Sequence, residues 1–164
     1  MYYFAYGSNM SYKRLLARVP SAVKLGNASL SGHRLRFHKQ GRDGSAKCDA
    51  HHTGIPSHRV LGVVFDIAPE EKPGLDRHEG LGQGYAIKAV RVSFEDGHRV
   101  EVYTYTATLI DTSLRPFHWY KEHVLKGAQE NQLDAGYLRA LREIESIADP
   151  DPARQARELA IYRI

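Results

Sequence analysis

Two β-rich runs, Tyr85 to Phe94 and Val100 to Thr108, stand on either side of Glu95-Asp96-Gly97-His98. An Asp-Gly pair between such runs predicts a tight hairpin, because glycine accepts the positive φ that the turn demands. The middle of the chain is thereby committed to antiparallel sheet. Further strands are expected at Tyr2 to Tyr6, at His33 to His38 and at Val60 to Ile67. Helical spacing appears elsewhere. Ser11 to Val19 carries Leu15, Leu16 and Val19 on one face and stops at Pro20. A short helix starts at Pro69 and reaches about Arg77, and another covers Phe117 to Lys126 and closes near Gly127. Leu138, Leu141, Ile144 and Ile147, spaced by threes, predict a helix that Pro150 breaks, with a last one over Ala153 to Ile161. Strands lead and helices gather at the two ends. The expected class is α+β: a small mixed, largely antiparallel β-barrel flanked by helices.

The 164 residues suit one domain over 1–164, and 42% apolar with 26% charged residues is globular composition. No stretch approaches the ~18 apolar residues that would cross a bilayer, and Met1 to Ala5 does not read as a leader. A cytoplasmic protein without membrane association is expected. The single cysteine, Cys48, excludes an internal disulfide framework. A net charge of +4 permits nucleic-acid contact and equally attracts a small acidic substrate. The basic and aromatic stretch from His33 to Arg42 reads as a solvated strand face, so no nucleic-acid partner is expected.

Two short segments can carry chemistry. The first is Tyr6-Gly7-Ser8-Asn9, where a strand ends in glycine and feeds a helix. Such a turn points backbone N–H groups into the space above the strand end, an oxyanion site; it also reads as a plain turn with a helix cap. Ser8 is a poor acyl-enzyme nucleophile, because the second glycine of a nucleophile elbow is missing. The second segment is Leu75-Asp76-Arg77-His78-Glu79-Gly80, followed by Gly82 and Gly84-Tyr85. Glu79 ends a helix and enters a glycine-rich loop. The glycines would let a substrate approach, and Glu79 is either a proton-transfer group or an ordinary solvated carboxylate. Ten tyrosines could wall a pocket for a small polar ligand or pack the core. Nine histidines include Cys48-Asp49-Ala50-His51-His52, whose spacing matches no zinc pattern, so no metal site is expected.

The order and spacing of these elements resemble the γ-glutamylcyclotransferase-like family, which includes AIG2-like proteins. The resemblance rests on Tyr6-Gly7-Ser8-Asn9, Arg42 to Lys47, Val60 to Phe65, Asp76-x-x-Glu79-Gly80, Gly84-Tyr85, Tyr103-Thr104-Tyr105, Tyr120 and Gly127 to Glu130. It is clearest over residues 1–140. Asn9 sets the chain apart from the related glutathione-degrading group, whose turn more often has leucine there. The resemblance implies an enzyme that folds a γ-glutamyl amide or amino acid onto itself, releasing 5-oxoproline and a free amine. It implies Glu79 as general acid/base, a substrate cradle of Tyr6, Gly7, Ser8, Asn9, Tyr85, Tyr105 and Tyr120, no cofactor, and a homodimer as one option. Alternatives are a non-catalytic binding module on the same fold and a γ-glutamyl acyltransferase. The leaving amine and the role of the tail from Pro150 stay open.

Overall fold

A computed structural model describes residues 1–163. The hairpin forms where the sequence places it: β6 (Tyr85–Phe94) pairs antiparallel with β7 (Arg99–Ala107), in a register that sets Val90 against Val102. Gly97 turns it at φ +85°, and the Phe94 N–H closes the loop onto the His98 carbonyl at 2.8 Å. Around this hairpin the chain closes a five-stranded barrel in the order β1 (Tyr2–Ala5), β5 (Arg59–Asp66), β2 (Val23–Ser31), β6, β7. The β1–β7 seam is parallel, with Tyr3 opposite Tyr103; the other pairings are antiparallel. The expected mixed barrel and α+β class are therefore what the protein adopts.

Phe4, Val63, Val64, Phe65, Val92 and Val102 are buried in the core. A second sheet, β3 (His33–Gln40) with β4 (Ala46–His52), stands outside the barrel. Asp49 ties the two together: its Oδ1 accepts from the Ala107 N–H of β7 at 2.8 Å.

The helices depart from the sequence reading in instructive ways. α1 is short (Tyr12–Leu16), and the turn after it is held by the Val19 N–H on the Leu15 carbonyl at 2.8 Å. A single 3₁₀ turn at Pro69–Glu71 leads into α2 (Lys72–Glu79). α3 (His118–Glu130) passes through Gly127 instead of closing there. That glycine serves close packing: a Cβ on it would lie 2.5 Å from the Ser11 nitrogen and 2.6 Å from Met10 Cβ. α4 (Ala135–Glu143) ends before Ile144, which is extended at φ −60°, ψ 122°. Ile147 then bridges to Phe117, so the run of threes from Leu138 to Ile147 is not one helix. Its backbone bonds are met across the chain, with the Ile147 N–H on the Pro116 carbonyl at 2.9 Å. α5 (Pro152–Leu159) lies where the last helix was expected. No described helix is long and apolar enough to cross a membrane.

Candidate active site

Strand β1 delivers the Tyr6–Asn9 segment to one mouth of the barrel, and α2 delivers Glu79 to the same place. The end of α2 fixes where Glu79 points. Gly80 takes the left-handed conformation (φ +74°, ψ 46°), with its N–H on the Arg77 carbonyl and the Leu81 N–H on the Asp76 carbonyl at 2.9 Å. This paired closure needs a residue that tolerates positive φ directly after Glu79. α2 is in turn pinned to the barrel. The Tyr105 hydroxyl donates to Asp76 Oδ1 at 2.5 Å, and Lys72 Nζ reaches both Asp76 oxygens at 2.7 and 2.8 Å. Asp76 thus acts as the anchor of the segment whose last residue is Glu79.

The turn and the carboxylate meet. Asn9 Nδ2 donates to Glu79 Oε1 at 2.8 Å and lies 3.1 Å from the Tyr3 hydroxyl, while Asn9 Oδ1 accepts from Arg18 Nη1 at 2.9 Å. The same Arg18 nitrogen stands 3.2 Å from Glu79 Oε1, and both side chains are 16% exposed. Burial and the neighbouring Arg14 pull Arg18 below arginine's ordinary range, with the Glu79 charge acting against them. Both donors use Oε1, so among the described residues Oε2 carries no protein hydrogen bond. Glu79 is therefore presented as an acceptor with one oxygen clamped and the other free.

All eight residues singled out for the site line one inner cavity: Tyr6, Gly7, Ser8, Asn9, Glu79, Tyr85, Tyr105 and Tyr120. Tyr3 and Cys48 complete it. The tyrosines wall the cavity in a way the sequence does not reveal, since their hydroxyls are engaged by the protein. Tyr6 donates to the Tyr105 carbonyl at 2.5 Å, Tyr85 donates to the Cys48 carbonyl, and Tyr120 accepts the Cys48 N–H at 2.9 Å. Burial raises Tyr6, Tyr85 and Tyr120 well above ordinary tyrosine and keeps these groups neutral. It also pushes the Cys48 thiol up to about 12.

The inner cavity holds only about 20 Å³ and shares Ser8, Glu79, Tyr85 and Tyr120 as walls with a neighbouring vestibule of about 200 Å³. Five cations line the vestibule: Arg14, Arg18, Lys39, Arg42 and Lys47. Three are paired, Arg14 with Glu158 at 2.6 Å, Arg18 with Glu79, and Lys47 with Asp43 at 2.8 Å. Sequence reasoning missed this set and Tyr3. Arg14 and Arg18 lie one helical turn apart just after the Gly7 turn, a spacing that could have marked them. Two of the loop glycines make room for these cations. A Cβ on Gly80 would lie 3.2 Å from Arg42 Nη2, and one on Gly84 would lie 2.7 Å from Lys39 Cε.

The histidine tract contributes elsewhere. His38, Asp49 and His51 gather on β3 and β4 with their ligand atoms within 4.8 Å. Asp49 Oδ2 is 2.8 Å from His38 Nε2 while Oδ1 holds β7, which makes Asp49 a tie between sheet and barrel.

Comparison with known proteins fits this geometry. The AIG2-like family profile matches residues 59–141. The γ-glutamylcyclotransferase of Bos taurus is 34% identical over 150 residues, covering 87% of this chain and 78% of that protein. That of Homo sapiens is 33% identical over the same shares. The chain belongs to the γ-glutamylcyclotransferase family of enzymes. A solved structure described as a γ-glutamyl cyclotransferase superposes with a TM-score of 0.88 at 27% identity, covering 99% of this chain and 98% of that one. Membership as a γ-glutamylcyclotransferase-like protein thus extends over the whole barrel, and the inner cavity lies at its mouth.

Proposed function

We propose that the protein converts a γ-glutamyl amide to 5-oxoproline and a free amine, with residues 1–164 acting as one domain. The observation that carries this reading is the position of Glu79: one oxygen held by Asn9 and Arg18, the other free at the junction of cavity and vestibule. The inner cavity at about 20 Å³ admits little more than one water, so the glutamyl portion is read as lying against Glu79, its reacting end at the cavity walled by Tyr6, Tyr85, Tyr105 and Tyr120 and the rest in the vestibule.

The chemistry needs no serine or cysteine nucleophile. The substrate's own α-amine attacks its γ-carbonyl carbon. A tethered nucleophile in good alignment saves about 7–11 kcal/mol of barrier. Glu79 takes the proton that the attacking amine loses. A C–N bond forms, the carbonyl oxygen becomes an oxyanion, and backbone N–H groups of the Gly7–Asn9 turn stabilise it. As the tetrahedral species collapses, the old amide C–N bond breaks and Glu79 returns the proton to the leaving amine. Protons balance, and the carboxylate is regenerated.

Glu79→Gln tests the assignment. It keeps an oxygen for Asn9 and Arg18 and removes the base. Release of 5-oxoproline should fall by at least about 10²–10⁴-fold, with an unchanged circular dichroism spectrum and melting temperature. A folded variant that turns over like the parent would remove Glu79 from the mechanism. Appearance of a γ-glutamylated acceptor in place of 5-oxoproline would redirect the reading to acyl transfer.

A further inference from the structure

We propose that Lys39 and Arg42 form an anion-binding subsite for the leaving group, matched to a leaving amine that carries two negative charges, as an acidic amino acid does. The inference rests on the cyclotransferase reading for the direction in which the substrate lies. Its basis is the charge pairing of the vestibule. Once Arg14, Arg18 and Lys47 are paired, Lys39 and Arg42 remain with no carboxylate within 4.0 Å among the described residues.

Lys39 carries the larger part of the argument. It is only 4% exposed, yet its ammonium has no hydrogen-bond acceptor among the described residues and lies 4.6 Å above the centre of the Tyr85 ring. The ammonium itself faces the open vestibule, where no carboxylate among the described residues comes within salt-bridge distance of it, so it offers an unpaired charge to whatever enters. The cation–π contact with Tyr85 holds the ammonium at the vestibule wall. Burial pulls the group below ordinary lysine, with the Glu79 charge acting against it.

The backbone goes out of its way to aim Lys39. The β3–β4 register shifts between Phe37 and Lys39, so His38 and Lys39 are both buried where a regular strand would alternate them. A bulge of this kind turns a side chain onto the opposite face. The loop that bears Glu79 supplies the space: Gly84 leaves room for the Lys39 stem, and Gly80 for the Arg42 guanidinium. Both cations therefore flank the catalytic loop on the vestibule side. A γ-glutamyl group whose reacting carbonyl lies between Glu79 and the Gly7–Asn9 turn has its amide nitrogen, and whatever that nitrogen carries, at the vestibule that these cations line. The buried Lys39 suits the carboxylate nearer the scissile bond, and the exposed Arg42 suits a second one at the rim.

The test compares three substrates with the same glutamyl half: γ-glutamyl-ethylamide, γ-glutamyl-alanine and γ-glutamyl-glutamate, whose leaving groups carry zero, one and two carboxylates. Parent kcat/KM should rise along the series, by about tenfold or more per carboxylate, and the gradient should flatten as salt is raised. Lys39→Met, which keeps the stem over Tyr85, should lower kcat/KM for both acidic substrates by about 10–100-fold, mainly through KM. The same variant should change γ-glutamyl-ethylamide by less than about threefold. Arg42→Gln, at the rim, should penalise γ-glutamyl-glutamate selectively. A flat series in the parent, or equal losses on all three substrates in Lys39→Met, would overturn the subsite. Should the parent release 5-oxoproline from none of them, the cyclotransferase reading fails first. The subsite is then judged by calorimetric titration of γ-glutamyl-glutamate into Glu79→Gln protein with and without Lys39→Met. Binding weakened about tenfold or more by Lys39→Met supports it, and equal or absent binding overturns it.

Discussion

At the scale of single residues, the site is a set of committed groups around one uncommitted oxygen. Gly7 shows how tight this is. A Cβ there would sit 3.1 Å from Cys48 Cβ and 3.4 Å from the Tyr120 hydroxyl. Gly7→Val should therefore displace Tyr120 and β4, destabilise the protein by about 1–3 kcal/mol, and raise KM; urea denaturation and steady-state kinetics check both. Cys48 is the reverse case, a reactive atom type made inert. With its thiol pushed up to about 12 by burial, iodoacetamide at pH 8 should leave the native protein unmodified and label it only after denaturation, as read by intact mass. Glu79 and the Tyr6–Asn9 turn were legible because each is a local pattern: a helix end before glycine, and a strand end before a cap. Arg18, Lys39 and Tyr3 were not, because their roles depend on partners 61, 46 and 6 residues away in sequence, brought together only by folding.

At the scale of elements, the hairpin was legible because Asp96-Gly97 and the flanking β-rich runs agree with one another. β2 was not, since Lys24, Gly26, Asn27, Ser29 and Ser31 give it little apolar alternation. Pairing with β5 and β6 on its two sides makes it a strand. β4 was hidden by its histidines, which invite thoughts of metal before thoughts of sheet. Gly127 misled in the other direction: glycine is the usual helix terminator, but here it is a contact point inside α3. Gly127→Ala tests that reading. In an exposed helix the change should stabilise by about 0.5–1 kcal/mol. Against a Cβ contact of 2.5 Å with the Ser11 backbone, it should instead cost about 1–3 kcal/mol and loosen the turn that carries Asn9. A lower melting temperature with raised KM is expected. A variant more stable than the parent would show that α3 can move away freely.

At the scale of the whole molecule, the tail left open by the sequence proves to be bound to the site's back wall. Glu158 of α5 pairs with Arg14 at 2.6 Å and lies 3.4 Å from His123 Nε2; the Tyr162 hydroxyl is 2.7 Å from His123 Nδ1 and donates to Ser11 Oγ at 2.9 Å. His123 is wholly buried, and burial lowers it to about 4 despite the Glu158 carboxylate. The unfolded chain titrates near 6.5, so between pH 6.5 and 4 it binds a proton that the folded protein refuses. Stability from this group is complete above pH 6.5 and is lost as pH falls toward 4, by at most about 1.4 kcal/mol per pH unit. For a chain of this size that is roughly 3–6 °C of melting temperature per unit. His123→Gln should flatten the acid limb of the melting profile over that window; an unchanged limb would place the acid sensitivity elsewhere.

The parallel seam between β1 and β7 has a consequence in time. Tyr3 meets Tyr103, and the Thr104 hydroxyl donates to the Phe4 carbonyl at 2.8 Å, across a hundred residues of chain. Closing so long a loop is slow compared with forming the β6–β7 hairpin. On the ribosome, the earliest strand must wait, with its neighbour across the seam still unmade, until that hairpin emerges. The Gly7 turn rides on β1 and the helix that ends at Glu79 is held by Tyr105 of β7, so the turn and that carboxylate share a fixed frame only when the cylinder shuts.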